Sequence, residues 1–443
     1  MPRKRSLLRI LIALPLLLVA MIALFWCYAH VDRNGSVARY FQAEQYWVDH
    51  WPWETGKRTL EQATPRLVRM GFLAPAVIQV QPGVKLLLDP RDLVSVNILR
   101  GGDWQPEVWD ALKARLPEGA VLLDVGAHIG YFSMIGARQV GPTGRVVSFE
   151  PNPETLLTLR ENVRVNELAN VTVAPIACTD KEQTLTLFAS PAMNSGASSL
   201  AKDNADITFE QAPKEYSVRG RPIDDVVREL NLQRVDAIKM DIEGAEVIAL
   251  HGASETLRRF HPKIVIEVVA RQLENMKTTP DALFSLLRDL GYNTGKPLNA
   301  GDTDWAWSME PLESLASSLK MDTTAAEGQL TKGFHAADDS HKRWTKGVFA
   351  ATLKNPAAHG KAARLKFAFT VTPETIEKLH DVTVTAKVGS LALAPLRITS
   401  AGDQVYEREV TIAGAGAVVE FTVDHVLPGE RGVIATSISL ESK

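Results

Sequence analysis

Cysteine is nearly absent from this chain: Cys27 and Cys178 are the only two, and they fall in unrelated contexts. Neither a disulfide framework nor a cysteine-based metal site is therefore expected. The ten histidines show no HxH or HExxH spacing, the usual imidazole signatures of a metal centre. Charge of one sign is lacking too. A net charge of −3 gives no global pull towards nucleic acid or acidic lipid, and no nucleic-acid partner is expected. No internal repeat is evident. What is present, 45% hydrophobic and 23% charged residues in a chain of 443, is an ordinary globular composition with room for two or three domains.

Long apolar runs are also scarce, with one exception. Arg3, Lys4, Arg5 and Arg9 precede an uncharged stretch from Ile10 to Tyr28. At about 1.5 Å per residue it would extend roughly 28 Å, close to the hydrocarbon thickness of a bilayer. Trp26 and Tyr28 stand where interfacial aromatics belong. A cleaved signal has a shorter apolar core and a small-x-small site, which is not evident here. The expectation is a membrane partner: one transmembrane helix within residues 1–30, anchoring a single-pass membrane protein. Only Arg33 and Arg39 follow closely, so the positive-inside rule puts the bulk of the chain outside the cytosol.

Residues 31–95 read as a linker with a small strand and helix region, including two short strands around the Pro-Gly of "AVIQVQPGVKLLLDP". "QPEVWDALKARLPEG" has helix-like apolar spacing. "AVLLDVG", "RVVSFE", "VTVAPIAC", "DAIKMDI" and "KIVIEVV" then alternate with helical patterns. Such alternation predicts an α/β domain, over 96–315, with a mostly parallel sheet covered on both faces. After a linker at 316–342, seven short β-type runs separated by turn signals predict an all-β sandwich at 343–443.

The first chemical motif is "VLLDVGAHIGYFSM". Asp124 ends an apolar strand, and Gly126 and Gly130 bracket the turn into the next helix. Glycine permits a tight turn and close approach of a ligand. The spacing is not the dinucleotide G-x-G-x-x-G, because His128 stands where its second glycine would be. About twenty residues on, Glu150 ends "VVSFE", where an acid can grip both hydroxyls of a ribose. Each feature alone is a common turn or a solvated strand end. Together they point to a nucleoside-bearing cofactor.

The run from about Ile98 to Val269 resembles the FkbM family of S-adenosylmethionine-dependent methyltransferases. The resemblance is carried by "DVGAHIGYFS", "VVSFEPNPE", "NSGASSL" and above all "IKMDIEGAE". It implies a Rossmann-like methyltransferase fold with S-adenosyl-L-methionine across the carboxyl ends of the strands. Asp124, Gly126, Ala127, His128 and Gly130 would lie near the methionine and ribose, Glu150 would hold the ribose, and the adenine would pass Ala177. Family members often carry Asn at the position of His128, so the resemblance gives this histidine loop packing or cofactor contact rather than catalysis. "MNSGASSLAKD" by itself is a solvent loop; the resemblance places Asn194 and Ser198 against the acceptor.

"AIKMDIEGAE" collects Lys239, Asp241, Glu243 and Glu246 beside an apolar run. Strand alternation sends Lys239 and Asp241 to one face, at the sheet edge where ligands of open α/β sheets bind. A carboxylate there can take the proton of an acceptor hydroxyl, and a lysine can keep it ionised or stabilise developing alkoxide. The bland reading is an ion-pair cluster that shapes the turn, and helix capping suffices for Glu246. Glu267 in "IVIEVV" is an acid in an apolar strand, costly unless paired. The expected catalytic set is Lys239, Asp241, Glu243 and Glu267. Clustered carboxylates are the oxygen ligands Mg²⁺ takes, but no spacing requires a metal and none is assigned.

The expected function is methylation of a hydroxyl on a glycan or related secondary metabolite, with a saccharide as the preferred acceptor. The rival is a membrane-anchored, extracytoplasmic glycan-binding protein whose methyltransferase-like domain has lost catalysis. Intact Asp124, Glu150 and Asp241 argue against that decay. Because S-adenosylmethionine is cytosolic, the catalytic domain is expected to face the cytosol, against the charge bias.

Overall fold

The structure is a computed structural model that describes residues 33–50, 64–205, 212–299, 301, 303–310, 315–321, 329–335, 343–357, 361–412 and 414–443. Two compact units divide the chain, Met1–Arg221 and Pro222–Lys443.

In the first unit, helix α1 (Arg33–His50) forms where the sequence shows only weak periodicity. It buries Val37 and Phe41, and also Glu44, which pairs with Arg100 at 2.9 Å. A helix anchored by an ion pair leaves little trace in apolar spacing. The single-pass membrane expectation is corrected: among the described residues, no helix is long and apolar enough to cross a membrane. The 18 residues of α1 include Arg33, Arg39, Glu44 and Asp49, which hydrocarbon would penalise. The run Ile10–Tyr28 lies outside the described residues.

Strands β1 (Ala76–Gln81) and β2 (Val84–Leu88) form an antiparallel pair around Pro82 and Gly83, as the turn residues predict. Helix α2 (Leu93–Gly101) starts at Asp92, whose side chain caps Ser95 N, and α3 (Pro106–Lys113) follows. Then β3 (Val121–Val125), β4 (Arg145–Phe149) and β5 (Val171–Ala174) run parallel in that order. Helices α4 (Tyr131–Val140) and α5 (Pro153–Val165) are their crossovers. All of β3 is buried, as in a sheet covered on both faces.

"VTVAPIAC", read as one strand, is divided. Pro175 lacks the N–H a ladder needs, so β5 stops at Ala174. Strand β6 (Ala177–Cys178) joins a different sheet, parallel to β8 (Lys214–Arg221), which pairs antiparallel with β7 (Gln183–Ala189).

The second unit opens with α6 (Ile223–Glu229). Strand β9 (Ala237–Met240), α7 (Glu246–His251), α8 (Ser254–Phe260) and β10 (Lys263–Glu267) form a parallel crossover. Helices α9 (Ala270–Asn275) and α10 (Pro280–Asp289) lead to β11 (Thr294–Pro297) and β12 (Asp304–Ser308). β12 is antiparallel to β10 and β11 is antiparallel to β12, so the pairing is mixed. Buried Trp307 lies against Gly295, where a Cβ would come within 2.6 Å of the indole.

The remaining strands are β13 (Ser318–Lys320), β14 (Leu330–Phe334), β15 (Arg343–Lys354), β16 (Ala362–Val371), β17 (Val382–Val388), β18 (Leu391–Ile398), β19 (Gly402–Thr411), β20 (Gly416–Val423) and β21 (Ile434–Ser442). The seven predicted runs are β15 to β21. The two-sheet sandwich is corrected to one nine-stranded, barrel-like sheet, ordered β18-β17-β20-β15-β21-β16-β19, with β13 on β21 and β14 on β15. The reason lies in β15. Arg343 and Trp344 pair with β21, whereas Val348 to Lys354 pair with β20. One long strand that changes partner makes the sheet continuous around a core containing Phe349, Phe367, Tyr406 and Phe421.

Candidate active site

The glycine turn is built at the carboxyl end of β3. Gly126, His128 and Gly130 all have left-handed φ, at 77°, 52° and 89°. Gly126 N and Ala127 N both donate to Phe149 O at 3.0 Å, which ties the turn to the end of β4. Asp124 is fully buried and accepts from Ser133 Oγ at 2.6 Å. Glu150, just past β4, turns both carboxylate oxygens inward. They accept from His128 N and from Asn152 N, each at 2.8 Å. The carboxylate is thereby fixed in orientation, and each oxygen keeps acceptor capacity. Five of the expected cofactor residues, Asp124, Gly126, Ala127, His128 and Gly130, thus gather around the sixth, Glu150. Ala177 packs in the small core with Leu187 and Val218.

His128 is explained by Ser195, a serine of the "MNSGASSLAKD" loop, and by Asp92, which the sequence did not single out. Ser195 Oγ donates to Asp92 Oδ1 at 2.8 Å, and His128 Nε2 lies 2.6 Å from the same hydroxyl. A hydroxyl has one proton, and a carboxylate can only accept, so Nε2–H of His128 is the donor. The imidazole locks its loop to the turn at Ser195. Asp92 gains its position by capping α2, a local role that gave no signal of this contact.

Asn194 sits at a kink within a short 3-10 segment and donates its N–H to Pro191 O at 2.8 Å. Ser198 Oγ accepts from Asn152 Nδ2 at 3.1 Å and donates to Ser195 O at 3.0 Å. The loop containing both expected acceptor residues is therefore bound to the start of α5.

In the second unit, Lys239 Nζ lies 3.2 Å from Asp241 Oδ2, on the shared side that strand alternation predicts. The lysine side chain is 6% exposed and the aspartate 26%, so the pair is enclosed at one end and open at the other. Glu243 has a left-handed φ of 55° next to Gly244 at 103°, and its carboxylate accepts from Gln272 of α9. Glu246 folds back on the turn, accepting from Ile242 N and Gly244 N at 3.2 Å each. Glu267 ends β10 opposite Asp304. Oxygens of Asp241, Glu243 and Glu267 all lie within 4.8 Å of one another.

Burial first, and then the neighbouring carboxylates, push Glu243 and Glu267 well above the usual carboxylate range. Burial pushes Glu246 up to about 7, although backbone N–H groups partly offset this. All four expected catalytic residues thus come together. Gln272 and Asp304 complete the surroundings. Neither carries a sequence signal, because both arrive from elements that the chain reaches only after β10.

Residues 124–294 match the family model for the methyltransferase FkbM domain. The chain carries an FkbM methyltransferase domain. Asp124 is its first matched residue, and Glu150, Lys239, Asp241, Glu243, Glu246 and Glu267 all fall within it. Among curated relatives, the chain is 29% identical over 205 residues to the AMB antimetabolite synthetase AmbE of Pseudomonas aeruginosa, covering 40% of this chain but only 10% of that protein. It is 28% identical over 204 residues to methyltransferase sdnD of Sordaria araneosa, covering 41% of this chain and 76% of the relative. It is 26% identical over 192 residues to the hexuronic acid methyltransferase AglP of Haloferax volcanii, covering 41% and 67%. In each case more than half of this chain lies outside the match.

Proposed function

We propose that this protein is an S-adenosylmethionine-dependent methyltransferase acting on a hydroxyl oxygen, with a saccharide as acceptor. The observation that carries the reading is Glu150, an acid at a strand end with one oxygen oriented by His128 N of the glycine turn and the other by Asn152 N. Such a carboxylate fits a ribose, whose vicinal hydroxyls donate to the remaining lone pairs. The positive-φ turn supplies close backbone approach without a Cβ. S-adenosylmethionine supplies, when bound, a methyl group on a sulfonium centre. A hexuronic acid methyltransferase among the relatives favours a saccharide acceptor.

The chain's own residues then have distinct tasks. Asp241 orients the acceptor hydroxyl and receives its proton. Lys239 fixes the orientation of that carboxylate through the 3.2 Å contact. Glu243 and Glu267 stand beside Asp241 and line the acceptor side of the cluster. Enclosure of Lys239 limits competing water.

Calorimetry with S-adenosylmethionine, followed by transfer of labelled methyl to a saccharide panel, tests this reading. Wild type should bind, and Glu150→Ala should bind more weakly by roughly 1.5–3 kcal/mol as hydrogen bonds to a charged group are lost. Absence of binding by wild type at millimolar cofactor would sink the enzyme reading.

A further inference from the structure

We propose that Asp241, Glu243 and Glu267 form a binding site for a hard divalent cation of the Mg²⁺ or Mn²⁺ type. One carboxylate oxygen from each lies within 4.8 Å of the others. An ion about 2.1 Å from each oxygen requires separations below roughly 4.2 Å, so the three side chains close in on the ion by rotamer changes. The donor set is all oxygen, which favours a hard cation over zinc or copper.

The three ligands come from two elements that the fold holds rigidly in place. Asp241 and Glu243 lie on the turn after β9, and Glu267 ends the neighbouring parallel strand β10. Their side chains arrive partly committed. Asp241 uses Oδ2 for Lys239, and Glu243 accepts from Gln272. Two further acids stand nearby and are differently served. Glu246 is taken by two backbone N–H groups, and Asp304 accepts from Asn299 Nδ2 at 2.6 Å.

Glu267 is the exception. Its Oε2 is buried and meets no hydrogen-bond partner among the described residues, although the carboxylate is aimed into the cluster. A buried carboxylate oxygen with no donor is costly, and a proton or a cation would relieve it. A divalent cation that displaces the protons would serve Oε2 of Glu267 together with the neighbouring oxygens of Asp241 and Glu243, which a single proton on Glu267 would not.

Binding of the ion is independent of the methyl-transfer reading; only its use rests on that reading. There it would have a clear role. Carboxylates are weak bases towards alcohols, and an oxygen bound to a divalent cation loses its proton more readily. Asp241 would then face a more acidic hydroxyl.

The test uses the purified full chain and MnCl₂, without cofactor or acceptor. Calorimetry and the electron paramagnetic resonance of bound Mn²⁺ should give one ion per chain. Glu267→Gln keeps shape, removes a ligand charge and should weaken binding at least tenfold. Mn²⁺ should raise the melting temperature of wild type but not of Glu267→Gln. Asp241→Asn, with one ligand charge removed from the other element, should show the same loss. If Glu267→Gln fails to fold, Asp241→Asn decides the matter. No saturable Mn²⁺ binding by wild type at millimolar concentration, or equal affinity in the folded variants, would overturn the site. S-adenosylmethionine titrations run in parallel keep the two readings apart: cofactor binding without Mn²⁺ binding rejects only the metal, and the reverse rejects only the cofactor.

Discussion

At the scale of single residues, the sharpest question concerns Asp241. Its contact with buried Lys239 serves either chemistry or architecture, and Asp241→Asn separates them. The change nearly preserves shape while removing charge and most basicity. If the carboxylate receives or orients the acceptor proton, turnover should fall by roughly 10²–10⁴, the usual scale of general acid–base assistance. Affinity for S-adenosylmethionine should change far less, since Glu150 and the glycine turn remain. A lower melting temperature with near-normal turnover per folded molecule would remove Asp241 from the catalytic set. Residue types at motif positions were legible in the sequence. Their partners were not: that His128 donates to a serine held by Asp92 depends on contacts 67 and 103 positions apart along the chain.

At the scale of elements, the turn between β9 and α7 carries a measurable pH dependence. Glu246 is fully buried there, and its folded-state proton affinity is raised to about 7. An acid whose pKa rises on folding binds its proton more tightly in the native state. Its stabilising contribution is therefore complete below the unfolded pKa, near 4.5, and is lost as pH rises through about 7. The loss is roughly 3 kcal/mol by pH 8, as an order of magnitude. Glu246→Gln retains an oxygen for the two backbone N–H groups and removes the titration. Its stability relative to wild type should therefore be greater at pH 8 than at pH 5, measured by urea midpoints. A constant difference between those pH values would show that Glu246 is not raised. Element type followed apolar period well for β3, β4, β9 and β10. It failed for α1, whose anchor is the buried Glu44–Arg100 pair, and for "VTVAPIAC", where Pro175 moves the last two residues into another sheet.

At the scale of the whole molecule, the nine-stranded sheet has an aromatic centre of its own. Phe349 lies 5.1 Å from Phe421 and 5.2 Å from Phe367, ring centre to ring centre. It is completely buried. Phe349→Ala should cost about 3–5 kcal/mol, the range for removing a buried ring, read as a lower denaturant midpoint. A loss below about 1 kcal/mol would mean that the sheet collapses into the space and is not closely packed.

By itself the sequence determined what local chemistry can dictate. Alternation and turn residues marked the seven last strands, glycines marked a turn able to adopt positive φ, and the acids of "AIKMDIEGAE" marked a turn with more charge than a buried strand tolerates. Tertiary structure decided what depends on distant partners. A period of two says that one face of a strand is buried, but not whether two sheets or one curled sheet bury it. That choice was made by β15, which pairs with β21 at one end and β20 at the other. Likewise, Glu267 stands 26 positions after Asp241 in the chain, yet β10 sets it beside β9. Parallel pairing brings the ends of distant strands to one edge, so the carboxylate cluster exists only in the fold.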